Sequence, residues 1–137
     1  MTLNQLLYTS RNRPESYMVD LGTILNVSRK NNPSLEITGF LIATETHYIQ
    51  FIEGPAENVA QLFYFILVDE RHSDIRLVFE RVGERRYFPS WTMHSLAASE
   101  TQNRLAQSLG RTDLQPDGLS IGQLETLVRQ MEQQPVH

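Results

Sequence analysis

The chain has 137 residues and no cysteine, with 12 Lys plus Arg against 16 Asp plus Glu and a formal net charge of −4. That length suits one domain built from a sheet with a helical cover, while the missing cysteines exclude disulfides, a thiolate nucleophile and thiolate metal sites. There is no basic run to meet nucleic acid, and no apolar run near the ~20 residues of a membrane span or basic-then-apolar leader, so no membrane partner is expected and cytoplasmic residence is the default.

Leu3 to Ser10 reads as the first strand, with Leu6 and Tyr8 on one face and Leu7 on the other. Tyr8 is central in that strand, so its hydroxyl needs a partner or the rim. Pro14 and Glu15 suit the first turn of a helix that runs to about Lys30. Tyr17, Leu21, Ile24, Leu25 and Ser28 form its stripe, and Arg29-Lys30 complements its carboxyl-terminal dipole. Asn31-Asn32-Pro33 is expected to end it, because asparagine tolerates the left-handed conformation and proline discourages continuation.

Ile37 to Thr44 and His47 to Glu53 read as an antiparallel pair turning at Glu45-Thr46. The polar residue in the second of these is Gln50, set between Tyr48-Ile49 and Phe51-Ile52. A primary amide left unsatisfied in an interior costs roughly 1–3 kcal/mol, so Gln50 needs a polar partner unless it reaches water. Turning or tautomerising such an amide exchanges donor for acceptor at a fixed place.

Pro55 opens a second helix to about Val68, with Val59, Leu62, Phe63 and Ile66 as its stripe. Tyr64, Phe65 and Val68 lie off that stripe, which requires a ligand, a partner or another helix against a second side. Asp69-Glu70-Arg71-His72 follows, then a fourth strand over Ile75 to Val82 and a polar loop over Arg81 to Arg86. Phe88 to His94 is expected as a short fifth strand with Trp91 and Met93 on one face, core packing being the ordinary reason for both.

Beyond Leu96 come two amphipathic helices, each with capping-box spacing: Ser99 with Gln102, and Ser120 with Gln123. Gly110 closes the first. Their apolar residues need a surface, and the sheet face carrying Leu7, Ile49 and Phe51 is the one left open. The expected fold is therefore α+β, a ferredoxin-like βαββαβ with a fifth strand, two helices on one sheet face and two carboxyl-terminal helices on the other. Residues 1–96 form the core domain and 97–137 the extension.

Five separated motifs narrow the function, which a ferredoxin-like order leaves open. Tyr8, Asn31-Asn32 before Ile37-Thr38-Gly39, Gln50 ahead of Glu53-Gly54, Asp69-Glu70-Arg71-His72, and Phe88-Pro89-Ser90-Trp91-Thr92-Met93 together resemble a BLUF domain, the family of blue-light sensors using FAD. The resemblance covers Leu3 to about Leu96, and the tail resembles that of short BLUF proteins without an output domain. It implies a flavin between the first two helices. The implied cofactor contacts are Tyr8, Ser28, Asn31, Asn32, Gln50, Asp69, Arg71 and His72, and the implied photochemical residues are Tyr8, Gln50, Trp91 and Met93. Phe65 stands where many relatives have a basic residue, which leaves FMN or riboflavin open beside FAD.

The resemblance also implies a sensor rather than an enzyme: Tyr8 passes an electron and proton to the excited flavin, and the Gln50 hydrogen bond is rearranged on return. Output then goes to a homo-oligomer or a separate signalling protein. The alternative is a small flavin-binding or ferredoxin-like enzyme without a photocycle. Against it stand the absence of a glycine-rich phosphate cradle and the scatter of His47, His72, His94 and His137, which lack metal-ligand spacing.

Overall fold

Gln50 lies in a strand buried along its whole length. β3 (His47–Gly54) has every residue buried because it runs between β1 (Leu3–Arg11) and β2 (Thr38–Ala43), antiparallel to both, with a helical layer on each face. β4 (Ser73–Gly83) pairs antiparallel with β1, and β5 (His94–Leu96) pairs parallel with β2, giving the order β4-β1-β3-β2-β5. The computed structural model describes residues 2–89, 93–96 and 99–133.

Alternation along the strands sorts the core into two halves. Leu6, Tyr8, Leu41, Tyr48 and Ile52 pack with Leu21, Ile24, Leu25, Val59 and Ile66 of α1 (Tyr17–Leu35) and α2 (Ala56–Val68). Leu7, Phe40, Ile42, Ile49 and Phe51 pack on the other face with Leu105, Leu124, Leu127, Val128 and Met131. Those residues belong to α3 (Ser99–Ser108) and α4 (Ile121–Glu132), so the tail covers the face that the sequence leaves open. The tail is also pinned to the β2–β3 hairpin, since Gln102 Nε2 donates to Ala43 O at 2.6 Å and Thr46 Oγ1 to Gln115 Oε1 at 2.6 Å. Gly39 allows β2 to close on β3: a Cβ there would stand 1.9 Å from the Phe51 carbonyl oxygen.

Several expected boundaries move. α1 begins at Tyr17, with Pro14 and Glu15 in the preceding turn, and it runs through Asn31, Asn32 and Pro33 to Leu35. Pro33 has no N–H to give and its ring crowds the carbonyl four residues back, but its fixed φ is helical and the helix carries it two residues before its end. The end is closed by Glu36 in the left-handed conformation, at φ 55°, while Ile37 N–H donates to Asn32 O at 3.0 Å. The asparagine pair therefore lies inside the last turns, and Arg29-Lys30 is too early to serve the dipole.

β4 is longer than expected at both ends, taking in Ser73 and Asp74 before Ile75 and Gly83 after Val82. Of the fifth strand expected over Phe88 to His94, Phe88, Pro89 and Met93 lie outside any strand, residues 90–92 lie outside the described residues, and the described strand is His94–Leu96. Phe88 is instead drawn into the core by the Glu53 carboxylate, which accepts from Phe88 N–H at 2.7 Å and from Tyr87 N–H at 3.0 Å. The expected face of Trp91 lies outside the described residues. Ser120 and Gln123 form the expected capping box, and the side chain of Ser99, on which the other one depends, lies outside the described residues.

Candidate functional site: a groove between two helices

Tyr8 and Gln50 are direct partners in the β1–β3 register and both point to the face covered by α1 and α2. Tyr8 Oη donates to Gln50 Oε1 in a fully buried hydrogen bond. The other end of the amide, Gln50 Nε2, reaches Met93 Sδ at 3.5 Å. Gln50 thus has the polar partner that its burial demands, and its weaker partner is a thioether, a poor acceptor.

Burial raises the pKa of Tyr8 well above 10.0, with the Asp69 carboxylate adding to the effect, so the phenol stays protonated and stays a donor. Its ring is held by Phe63, with centroids 5.6 Å apart, and by the edge of His72 at 6.2 Å. His72 is itself buried, with Nδ1 2.9 Å from Ser10 Oγ and its ring 5.1 Å from Tyr48. Burial lowers its pKa below 6.5, which keeps the imidazole neutral near pH 7.

Beside this chain of polar groups runs a groove between α1 and α2. Its inner part, a cavity of about 110 Å³, is lined by Ile24, Val27, Ser28, Gln50, Leu62, Phe65, Ile66, Asp69, Arg71 and His72. An adjoining cavity of about 400 Å³ shares Val27, Ser28, Leu62 and Phe65 and adds Asn31, Asn32, Ser34, Leu35 and Gln61. Asp69 and Arg71 form an ion pair at 3.0 Å at the groove's edge. Val27 on α1 and Phe65 on α2 both line the groove and are 50% and 55% exposed. Two large apolar side chains held open to solvent on opposite helices fit a flat apolar ring between them, and the amides of Gln50, Asn31 and Asn32 fit the polar edge of an isoalloxazine.

Tyr8, Gln50 and Met93 are therefore brought into one hydrogen-bonded row, and Ser28, Asn31, Asn32, Asp69, Arg71 and His72 line the adjoining groove. Trp91 lies outside the described residues. Sequence reasoning missed two partners. Ser10, two residues past Tyr8 on the same face, could have been found from strand alternation; the hydrogen bond from Arg29 Nε to Met93 O, at 3.3 Å across 64 residues, carries no local signal. Among the described residues no group of His, Asp or Glu is placed to hold a metal, and no helix is long and apolar enough to cross a membrane.

Comparison with known proteins agrees with this geometry. The family model for BLUF, sensors of blue light using FAD, matches residues 3–94. Photoactivated adenylate cyclase subunit beta of Euglena gracilis is 33% identical over 95 residues, covering 69% of this chain but 11% of the cyclase, so the chain spans about a tenth of that relative's length. The dark-state structure of BlrB, a BLUF protein, superposes with a TM-score of 0.82 at 33% identity and covers 95% of each chain. The ground state of BlsA superposes with a TM-score of 0.87 over all of this chain and 91% of its own, and at 24% identity it speaks to the fold alone. The chain belongs to the BLUF family of flavin-binding blue-light sensors.

Proposed function

We propose that the chain binds FAD in the α1–α2 groove of a photosensory unit spanning residues 1–96, and that Tyr8 and Gln50 convert light absorption into a changed hydrogen bond. The observation that carries this is the row Tyr8–Gln50–Met93, buried at the wall of a groove whose apolar sides stand open. The bound flavin supplies a light-absorbing electron acceptor. Tyr8 gives up an electron and its hydroxyl proton toward the groove and later recovers both. While Tyr8 lacks its proton, Gln50 Oε1 has lost its donor, and the amide is free to rotate or tautomerise before the phenol is restored. A turned amide presents Nε2 where Oε1 faced Tyr8 and Oε1 where Nε2 faced Met93, so donor and acceptor are exchanged at the groove wall and Met93 registers the change at the amide's other end. Ser28, Asn31, Asn32, Asp69, Arg71 and His72 hold and orient the ring through its polar edge.

FAD is the proposed cofactor on family grounds. Phe65 brings no charge to the groove, and the pocket beyond it balances Arg13 and Arg71 against Asp69 and Glu70. The ring is therefore the part most firmly gripped. Output is proposed to pass to a homo-oligomer or a separate signalling protein in the cytoplasm. That reading is supported by Tyr64 and Val68, which remain 61% and 62% exposed on α2 outside the groove.

The test is the absorption of the purified protein before and after blue light, together with identification of the released cofactor. A yellow protein carrying FAD, with a small red shift that reverses in the dark without bleaching, supports the proposal. A colourless protein, or one whose flavin bleaches and forms an adduct, overturns it.

A further inference from the structure

We propose that Arg29 is a positioning residue that keeps the Met93 thioether on the Gln50 amide, an inference resting on the photosensory reading of that amide. Arg29 Nε donates to Met93 O at 3.3 Å, joining α1 to the residue before β5. Met93 is buried, and its Sδ lies 3.5 Å from Gln50 Nε2. Nothing intrinsic to methionine fixes that contact, because its side chain is unbranched with three rotatable bonds and its sulfur accepts weakly. The strand that follows is a weak restraint too. β5 has three residues, and it pairs only with Phe40, Leu41 and Ile42 at the sheet edge.

The amino-terminal end of the same segment is firmly held. Glu53 takes the Tyr87 and Phe88 amides, and Arg86 Nη1 donates to Thr38 Oγ1 at 2.8 Å and to Glu53 O at 3.2 Å. Arg29 supplies a charged donor at the other end, where a charge-assisted hydrogen bond is stronger than a neutral one. The dipole role that sequence assigns to Arg29 is removed by the helix continuing to Leu35, with no basic residue in its last turn. Its neighbours Val27, Ser28 and Asn31 line the groove, so a ring seated there bears on the turn of α1 that carries Arg29. Through one side chain the groove wall and the Gln50 amide share a restraint.

The test compares Arg29→Leu, which keeps the apolar stem and removes the donor, with Arg29→Lys, which can still donate to a carbonyl. Both are made in the full-length, flavin-loaded protein. The first readout is the Met93 methyl resonance in the dark state, assigned by Met93→Leu. The second is the rate of dark recovery. In Arg29→Leu the methyl signal is expected to move toward the position of an unrestrained methionine. Recovery should speed up about fivefold, the scale of one net hydrogen bond, because an amide with a mobile neighbour reorients more easily. Arg29→Lys should return both readouts most of the way to wild type. A Met93 signal and a recovery rate unchanged in Arg29→Leu overturn the proposal, as does a change that Arg29→Lys fails to rescue. If the wild-type protein has no reversible shift, the photosensory reading falls, and the Met93 resonance still decides whether Arg29 holds that segment.

Discussion

Tyr8 and Gln50 stand directly opposite each other on β1 and β3, and the phenol donates its only proton to the amide's only oxygen. Removing the Tyr8 hydroxyl therefore deletes one hydrogen bond and strands a buried acceptor, with almost no change in volume. Tyr8→Phe should lower stability by about 1–2 kcal/mol in denaturant unfolding. It should keep the flavin and lose the reversible spectral shift. Cycling of Tyr8→Phe with wild-type yield would place the electron donor elsewhere.

Acid should weaken the fold through His72. Its pKa is lowered by burial below the ordinary 6.5, so the unfolded chain takes up a proton at a pH where the folded chain does not. The stability that depends on a neutral His72 is complete above about pH 6.5 and is lost as pH falls from there toward the lowered folded value. Asp20 is also shifted down, but by a partner rather than by burial: its hydrogen bonds from Arg13 push its pKa below 3.8, so its contribution fades only in stronger acid. Urea midpoints between pH 7.5 and pH 5.5 should fall more in the wild type than in His72→Gln. Equal slopes would remove His72 as the cause.

Much of the fold could be read from the sequence because strand parity carries it. Tyr48, Gln50 and Ile52 alternate with Ile49 and Phe51, and that alternation alone assigns the site to one face and the tail to the other. The end of α1 was not legible, because Asn31-Asn32-Pro33 has the composition of a stop while the closing residue is Glu36, whose carbonyl accepts from Arg86 Nη2 at 2.5 Å. Such tertiary support leaves no trace in local propensity. The fifth strand was misplaced for a related reason. Phe88 reads as strand, and the buried Glu53 carboxylate, distant in sequence, captures its amide. Within the site, the residue types were legible from motifs, whereas the Gln50–Met93 contact and the Arg29 bond depend on how the chain returns to the sheet edge.

The tail is bound to the sheet by apolar packing, and Leu127 is at the centre of it with no exposure. Leu127→Ala should cost about 2–5 kcal/mol, the range for truncating a buried leucine. The loss should appear first as faster hydrogen exchange in α3 and α4, since these helices meet the rest of the molecule through that face. If light acts on the tail through β3, whose Ile49 and Phe51 touch it, wild-type exchange there should also differ between light and dark. Identical exchange would send the signal out by another route.

The central claim is that one amide stores the light signal, and Gln50→Leu tests it most directly. Leucine fills a similar space on β3, so fold and flavin binding should survive, but it has no donor or acceptor to exchange. Light-minus-dark absorption of Gln50→Leu should therefore be flat where the wild type shows a reversible red shift. A wild-type shift in that variant would contradict the claim outright.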